Sequence, residues 1–119
     1  MTDDTIKLTT AQAIVGWLSS QFIKIDGKEE RLCGGGFGIF GHGNVTCLGE
    51  ALYNHKEELP LYRGQNEQSM GFAAAGYSKY WLRKRFMFCT ASAGPGTANL
   101  LTAAAVSYTH LRAHETSLH

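Results

Sequence analysis

The run Gly34-Gly35-Gly36-Phe37-Gly38-Ile39-Phe40-Gly41-His42-Gly43 limits what this chain can fold into more than any other segment. Six of its ten residues are glycine, interleaved with large apolar side chains. Glycine at that density marks backbone that turns tightly or lies close against another group. A linker is the competing explanation, but the chain holds 14 Gly and only 2 Pro, and its glycines sit beside apolar residues. A second cluster, Gly94-Pro95-Gly96, follows the apolar run Phe86-Met87-Phe88-Cys89-Thr90 in the same way.

With 119 residues the chain has room for one small domain. Hydrophobic residues make up 44% and charged residues 18%, too apolar a mixture for a disordered segment. Lys and Arg total 11 against 10 Asp and Glu. That balance gives no general electrostatic drive toward nucleic acid or an anionic membrane, so neither is expected as a partner. Apolar stretches fall well short of the roughly 20 residues a membrane helix needs. No secretory signal core follows the acidic start Met1-Thr2-Asp3-Asp4. Cys33, Cys47 and Cys89 are odd in number and widely spaced, which fits reduced thiols in a cytoplasmic protein rather than a disulfide framework or a zinc site.

Residues 9–22 read as a helix. Thr9 and Gln12 form a capping box, and Ile14, Val15, Leu18 and Phe22 recur at helical spacing. Asp26-Gly27 marks a turn before a charged patch, residues 28–31. Phe37 to Phe40 suits a short buried strand, and Asn44 is placed to cap a helix reaching about Asn54. Leu61-Tyr62-Arg63 reads as a weak strand. A helix follows from about Asn66-Glu67 to Leu82, with Met70, Ala73, Ala74, Tyr77 and Trp81 on one face. Its Gly71, Ala75 and Gly76 are small enough for close packing on a neighbour. Phe86 to Thr90 is the clearest buried strand, and an Ala/Leu-rich helix runs from the second glycine cluster to about Val106. This alternation predicts an α/β fold: an incomplete parallel sheet flanked by helices. In such folds ligands lie beyond the C-terminal strand ends, which singles out residues 41–44, 66–68 and 94–99.

Each candidate carries a plainer reading beside the chemical one. Gly36-x-Gly38-x-x-Gly41 matches the dinucleotide fingerprint in letters, but its intervening residues look like the strand itself instead of a turn opening a helix. The turn at residues 94–99 either presents free N–H groups to a ligand or is a simple strand-to-helix turn with Pro in the first helical turn. Glu67 either complements a helix dipole, for about 0.3–1 kcal/mol, or places a carboxyl in a crevice between glycine turns. His42 is an exposed loop histidine or a ring projecting from a tight turn. His110 and His114 have helical metal-ligand spacing but lack a third ligand, and Ser92 and Ser107 lack a base.

Three segments taken together resemble the pyrimidine-binding domain of thiamine-diphosphate enzymes. They are Phe37-Gly38-Ile39-Phe40-Gly41-His42-Gly43-Asn44, Gly64-Gln65-Asn66-Glu67-Gln68 and Cys89-Thr90-Ala91-Ser92-Ala93-Gly94-Pro95-Gly96-Thr97-Ala98-Asn99. The start Lys7-Leu8-Thr9-Thr10-Ala11-Gln12-Ala13 and the Gly-His-Gly-Asn segment resemble the trihydroxycyclohexane-1,2-dione hydrolase branch, which opens a ring in myo-inositol catabolism. The resemblance implies that Glu67 hydrogen-bonds N1′ of the cofactor's aminopyrimidine and so promotes loss of the thiazolium C2 proton. Burial in the crevice is expected to raise that carboxyl's pKa. It further implies that Gly41 and Gly43 let backbone approach the cofactor, that Asn44 is a further cofactor-binding residue, that Gly94, Pro95, Gly96 and Asn99 wall the pyrimidine, and that His42 reaches the substrate or ylid as a polar or acid/base group. The implied reaction is hydrolytic C–C cleavage of a cyclic diketone, with thiamine diphosphate and Mg²⁺ as cofactors.

Departures from the family pattern set further expectations. The family holds diphosphate and Mg²⁺ through a Gly-Asp-Gly…Asn motif in a separate domain, and no Gly-Asp-Gly occurs here. The active site of such enzymes lies between subunits, so a homo-oligomer is expected of the full-length protein. Residues 1–106 are therefore read as a partial pyrimidine-binding domain, and residues 107–119 as an artefactual or disordered tail. The fragment alone is expected to be inactive. The competing readings are an acetolactate-synthase-like carboligase or 2-oxoacid decarboxylase, a pyrimidine subunit of a split enzyme, and a small nucleotide-binding module.

Overall fold

The computed structural model of the chain describes residues 5–117, and the side chains of those residues except 42, 43 and 109–117. Helix α1 spans Thr10–Ser19. The Thr9 hydroxyl accepts from the Gln12 N–H at 3.1 Å, and the Gln12 side chain accepts from the Thr9 N–H at 2.9 Å. The expected capping box is present, but the helix stops before Phe22. Strands β1 (Phe22–Ile25) and β2 (Lys28–Arg31) form an antiparallel hairpin in which Phe22 pairs with Arg31. Asp26 and Gly27 both take positive φ, 53° and 80°, the combination a two-residue hairpin turn needs. The charged patch is thus a strand, and its Arg31 lies 4.7 Å from the Phe22 ring centre.

The glycine run is itself most of a strand. β3 covers Cys33–Gly38, starting four residues before the expected position and ending two residues earlier. A Cβ at Gly34 would strike the Tyr77 hydroxyl, and one at Gly36 would strike the Phe88 ring. The absence of side chains lets neighbours close on β3 from both directions. Gly35 sits at a register shift with φ 117°. β4 (Leu61–Arg63) and β5 (Phe86–Thr90) flank β3, both parallel to it, in the order β4-β3-β5. Phe37 pairs with Tyr62 on one side and Cys89 on the other.

Two short helices, α2 (His42–Thr46) and α3 (Leu48–Asn54), replace the single helix expected from Asn44. Asn44 lies inside α2 and is not its cap. α4 runs Glu67–Tyr80, capped by Asn66, whose side chain accepts from the Ser69 N–H at 3.2 Å. α5 runs Pro95–Ser117, beyond the expected end near Val106.

Val15, Ala51, Leu52, Leu59 and Cys33 form a buried cluster between α1, α3 and the sheet, with Leu61, Phe86 and Phe88 packed against it. α4 covers the other side: Met70 is buried, and its carbonyl accepts from the Cys89 thiol at 3.5 Å. α5 packs on α4 so closely that a Cβ at Gly71 would lie 2.5 Å from Ala103 Cβ. Gly76 has open space instead, so the close-packing stripe is narrower than its composition implies, and Ala73, expected on the apolar face, is exposed. The architecture is α/β, a parallel sheet flanked by helices, as the alternation of elements predicts. Among the described residues no helix is long and apolar enough to cross a membrane.

Candidate functional site

Because β3, β4 and β5 are parallel, their C-terminal ends share one edge of the sheet. The chain leaves that edge through residues 39–41, 64–66 and 91–94, each leading into a helix. The segments singled out by sequence therefore converge, and side chains tie them together. Asn44 Nδ2 donates to the Ala91 carbonyl at 3.5 Å, joining α2 to the turn after β5. At Gly41 a Cβ would stand 2.9 Å from Ser92 Cβ, so the two turns meet with no room for a side chain. Within the third turn Thr97 donates twice to the Ser92 carbonyl, from its hydroxyl at 2.7 Å and its N–H at 3.0 Å.

Glu67 opens α4, the expected place for an acidic residue next to the helix's free N–H groups. Its Oε1 accepts from Asn99 Nδ2 at 2.8 Å, across 32 residues of sequence. Asn99 Oδ1 in turn accepts from Gln68 Nε2 at 2.8 Å. The other carboxyl oxygen, Oε2, lies over Gly96, where a Cβ would come within 3.2 Å of it and 2.5 Å of Ser92 Oγ. Gly96 is buried, whereas Gly94 and Pro95 are exposed on the rim of the turn. Gly94 takes φ 77°, with open space where a side chain would stand.

One expectation is overturned. Burial was to raise the Glu67 pKa, yet the Asn99 hydrogen bond, helped by Glu67's own backbone N–H, holds the carboxyl below its ordinary value. Desolvation acts in the opposite sense but is the smallest contribution, because Glu67 is only partly covered. A carboxylate held ionised beside a side-chain-free floor can accept a hydrogen bond from a flat, protonated ring edge.

The structure thus gathers Glu67, Asn99, Gly96, Gly41 and, through Ala91, Asn44. Beyond their backbone, His42 and Gly43 lie outside the described residues, as do His110 and His114. Gln68, inside the singled-out residues 66–68 but given no role there, and Ser92 also belong to the site. Gln68 follows Glu67 directly, and Ser92 was weighed only as a nucleophile, whereas here its backbone and hydroxyl shape the turn.

The family model for the thiamine pyrophosphate enzyme N-terminal TPP binding domain matches residues 36–110. A 3D-(3,5/4)-trihydroxycyclohexane-1,2-dione hydrolase from Listeria innocua serovar 6a is 49% identical over 108 residues, covering 91% of this chain and 17% of the relative. Relatives of the same name from Bacillus thuringiensis strain Al Hakam and from Bacillus anthracis are each 48% identical over 103 residues, covering 87% of this chain and 16% of theirs. The chain spans less than a fifth of the length of these curated relatives. No solved structure matches it significantly.

Proposed function

Because the chain belongs to the thiamine pyrophosphate enzyme family, through its N-terminal TPP binding domain, we propose that it supplies the pyrimidine-binding half of a hydrolase that opens trihydroxycyclohexane-1,2-dione. Thiamine pyrophosphate and thiamine diphosphate are one molecule. The observation that carries the reading is the placement of Glu67 Oε2 over Gly96 at the C-terminal edge of the sheet. The donor set fits: a carboxylate with one oxygen already held by Asn99, and a floor that a single Cβ would fill.

Bound thiamine diphosphate supplies an electron sink for carbon–carbon bond cleavage. The chain's own residues bind, orient and move one proton. Glu67 accepts a hydrogen bond from the protonated pyrimidine N1′ and shares that proton as an acid/base group. Asn99 keeps the carboxyl ionised and aimed. Gly41, Gly43 and Gly96 let the backbone come close to the ring, and Gly94 and Pro95 form the rim. Asn44 holds the first turn against the third, and His42 serves the substrate as a polar or acid/base group. Mg²⁺ and the diphosphate are held by other residues, in a homo-oligomer whose subunits complete one another's sites. The free thiols fit a cytoplasmic setting.

The test is a hybrid in which this chain replaces the matching segment of the Listeria innocua relative. The hybrid is expected to hydrolyse the dione. Its Glu67→Gln variant is expected to slow C2–H exchange of bound cofactor, followed by NMR, by about 10²–10⁴-fold. Unchanged exchange removes the role given to Glu67.

A further inference from the structure

We propose that Gln68 is a positioning residue for Glu67, acting through the side-chain amide of Asn99. This deepens the cofactor reading above and rests on it for the purpose of Glu67. An Asn amide has a donor and an acceptor end of nearly the same shape, so its orientation is set only by what it meets. Asn99 meets the Glu67 carboxyl at one end and the Gln68 NH₂ at the other, each at 2.8 Å. Turned over, it would aim an oxygen at a carboxylate, a repulsive contact in place of a hydrogen bond, and would lose the Gln68 bond unless that amide turned with it. The Glu67 carboxylate, which can only accept, sets that orientation, and Gln68 holds it by donating to the oxygen end of Asn99, so the chain of three side chains ties the first turn of α4 to the N-terminal part of α5. Networks of this kind polarise one another, so the first bond strengthens the second.

Little else acts on this carboxyl. Residues 64–66, 91–94 and the first turn of α5 carry no charged side chain, and Glu67 is the only charged residue in the first turn of α4. In the first turn of α2 the titratable residue is His42, whose side chain lies outside the described residues.

The experiment is an NMR titration of the cofactor-free 119-residue chain with carbon-13-labelled glutamate carboxyls. In the parent, Glu67 is expected to titrate below the ordinary glutamate value, and the Asn99 side-chain amide signals to move with the same midpoint. In Gln68→Met the Glu67 midpoint is expected to shift upward, with the Asn99 signals no longer tracking it and the backbone spectrum unchanged. Gln68→Asn, which withdraws the donor by one methylene, is the second variant and is expected to act in the same direction. The proposal is overturned if both variants titrate as the parent does, or if the parent Glu67 titrates at the ordinary glutamate value. Loss of the folded spectrum in both variants also overturns it, since Gln68 would then serve folding. No cofactor is present, so these results stand apart from the hybrid test: unchanged C2–H exchange there removes the cofactor reading and leaves the relay intact.

Discussion

At Gly96 a single hydrogen takes the place that any other residue would fill. Gly96→Ala puts a methyl 3.2 Å from Glu67 Oε2 and 2.5 Å from Ser92 Oγ. The serine can rotate away, so the expected stability loss is modest, about 1 kcal/mol by urea unfolding. The larger expected effect is on the site: in the hybrid enzyme the variant should weaken cofactor binding, read by calorimetry. The pH response of Glu67 follows from its depressed pKa. Between the folded and the ordinary glutamate values the unfolded chain binds more protons than the folded one. The carboxylate's contribution is present above the ordinary value and is lost as pH falls through the folded one. Urea midpoints should fall over that window in the parent and fall less in Glu67→Gln. Burial raises the Cys33 and Cys89 thiols above their ordinary value, while Cys47 is exposed. Alkylation followed by mass spectrometry should therefore label Cys47 first and Cys33 last. As an acidic residue at a helix start Glu67 was legible, but spacing alone favoured a complement to the helix dipole, and its role at a site came only from the resemblance. Its partner was not legible, because Asn99 lies 32 residues away and only the sheet brings the two together.

Helix α4 shows how far composition alone can be read at the level of an element. Gly71, Ala75 and Gly76 suggest one stripe of small residues, but the packing divides them. A Cβ at Gly71 would meet Ala103 Cβ at 2.5 Å and Leu100 Cδ1 at 3.3 Å, while one at Gly76 would meet nothing within 4 Å. The two alanine substitutions should have opposite signs. Gly71→Ala forces α5 away, and the overpacking cost of about 1–3 kcal/mol exceeds the helix-propensity gain of about 1 kcal/mol. Gly76→Ala keeps that gain and should raise the urea midpoint. At α1 the capping box was legible because both its bonds span three residues. Thr9→Ala should cost about 1 kcal/mol. The β1–β2 hairpin was half legible: Asp26-Gly27 announced the turn, but the Lys28–Arg31 strand carries no apolar residue to give it a strand pattern.

The whole chain has a radius of gyration of 16.0 Å, against about 13.5 Å for a compact domain of its length. Large apolar side chains remain on the surface among the described residues, including Trp17, Tyr53, Tyr80, Leu82 and Leu101. Such a surface favours association, so light scattering should show the mass of the isolated chain growing with concentration. The isolated chain with thiamine diphosphate and Mg²⁺ should not turn over the dione, and detectable product would refute that expectation. What the sequence determined by itself was local: the Thr9 cap, the Asp26-Gly27 turn, the strands at Leu61–Arg63 and Phe86–Thr90, and Glu67 at the start of α4. Each depends on hydrogen bonds or side-chain periods spanning a few residues, which one stretch of chain contains in full. Tertiary structure alone decided that the strand expected at Phe37 reaches back through residues 34–36 beneath Tyr77 and Phe88, and that Gln68, Asn99 and Glu67 form one chain of hydrogen bonds. Those features depend on which strands pair and in what register, and the side chains that meet there are separated by tens of residues along the sequence.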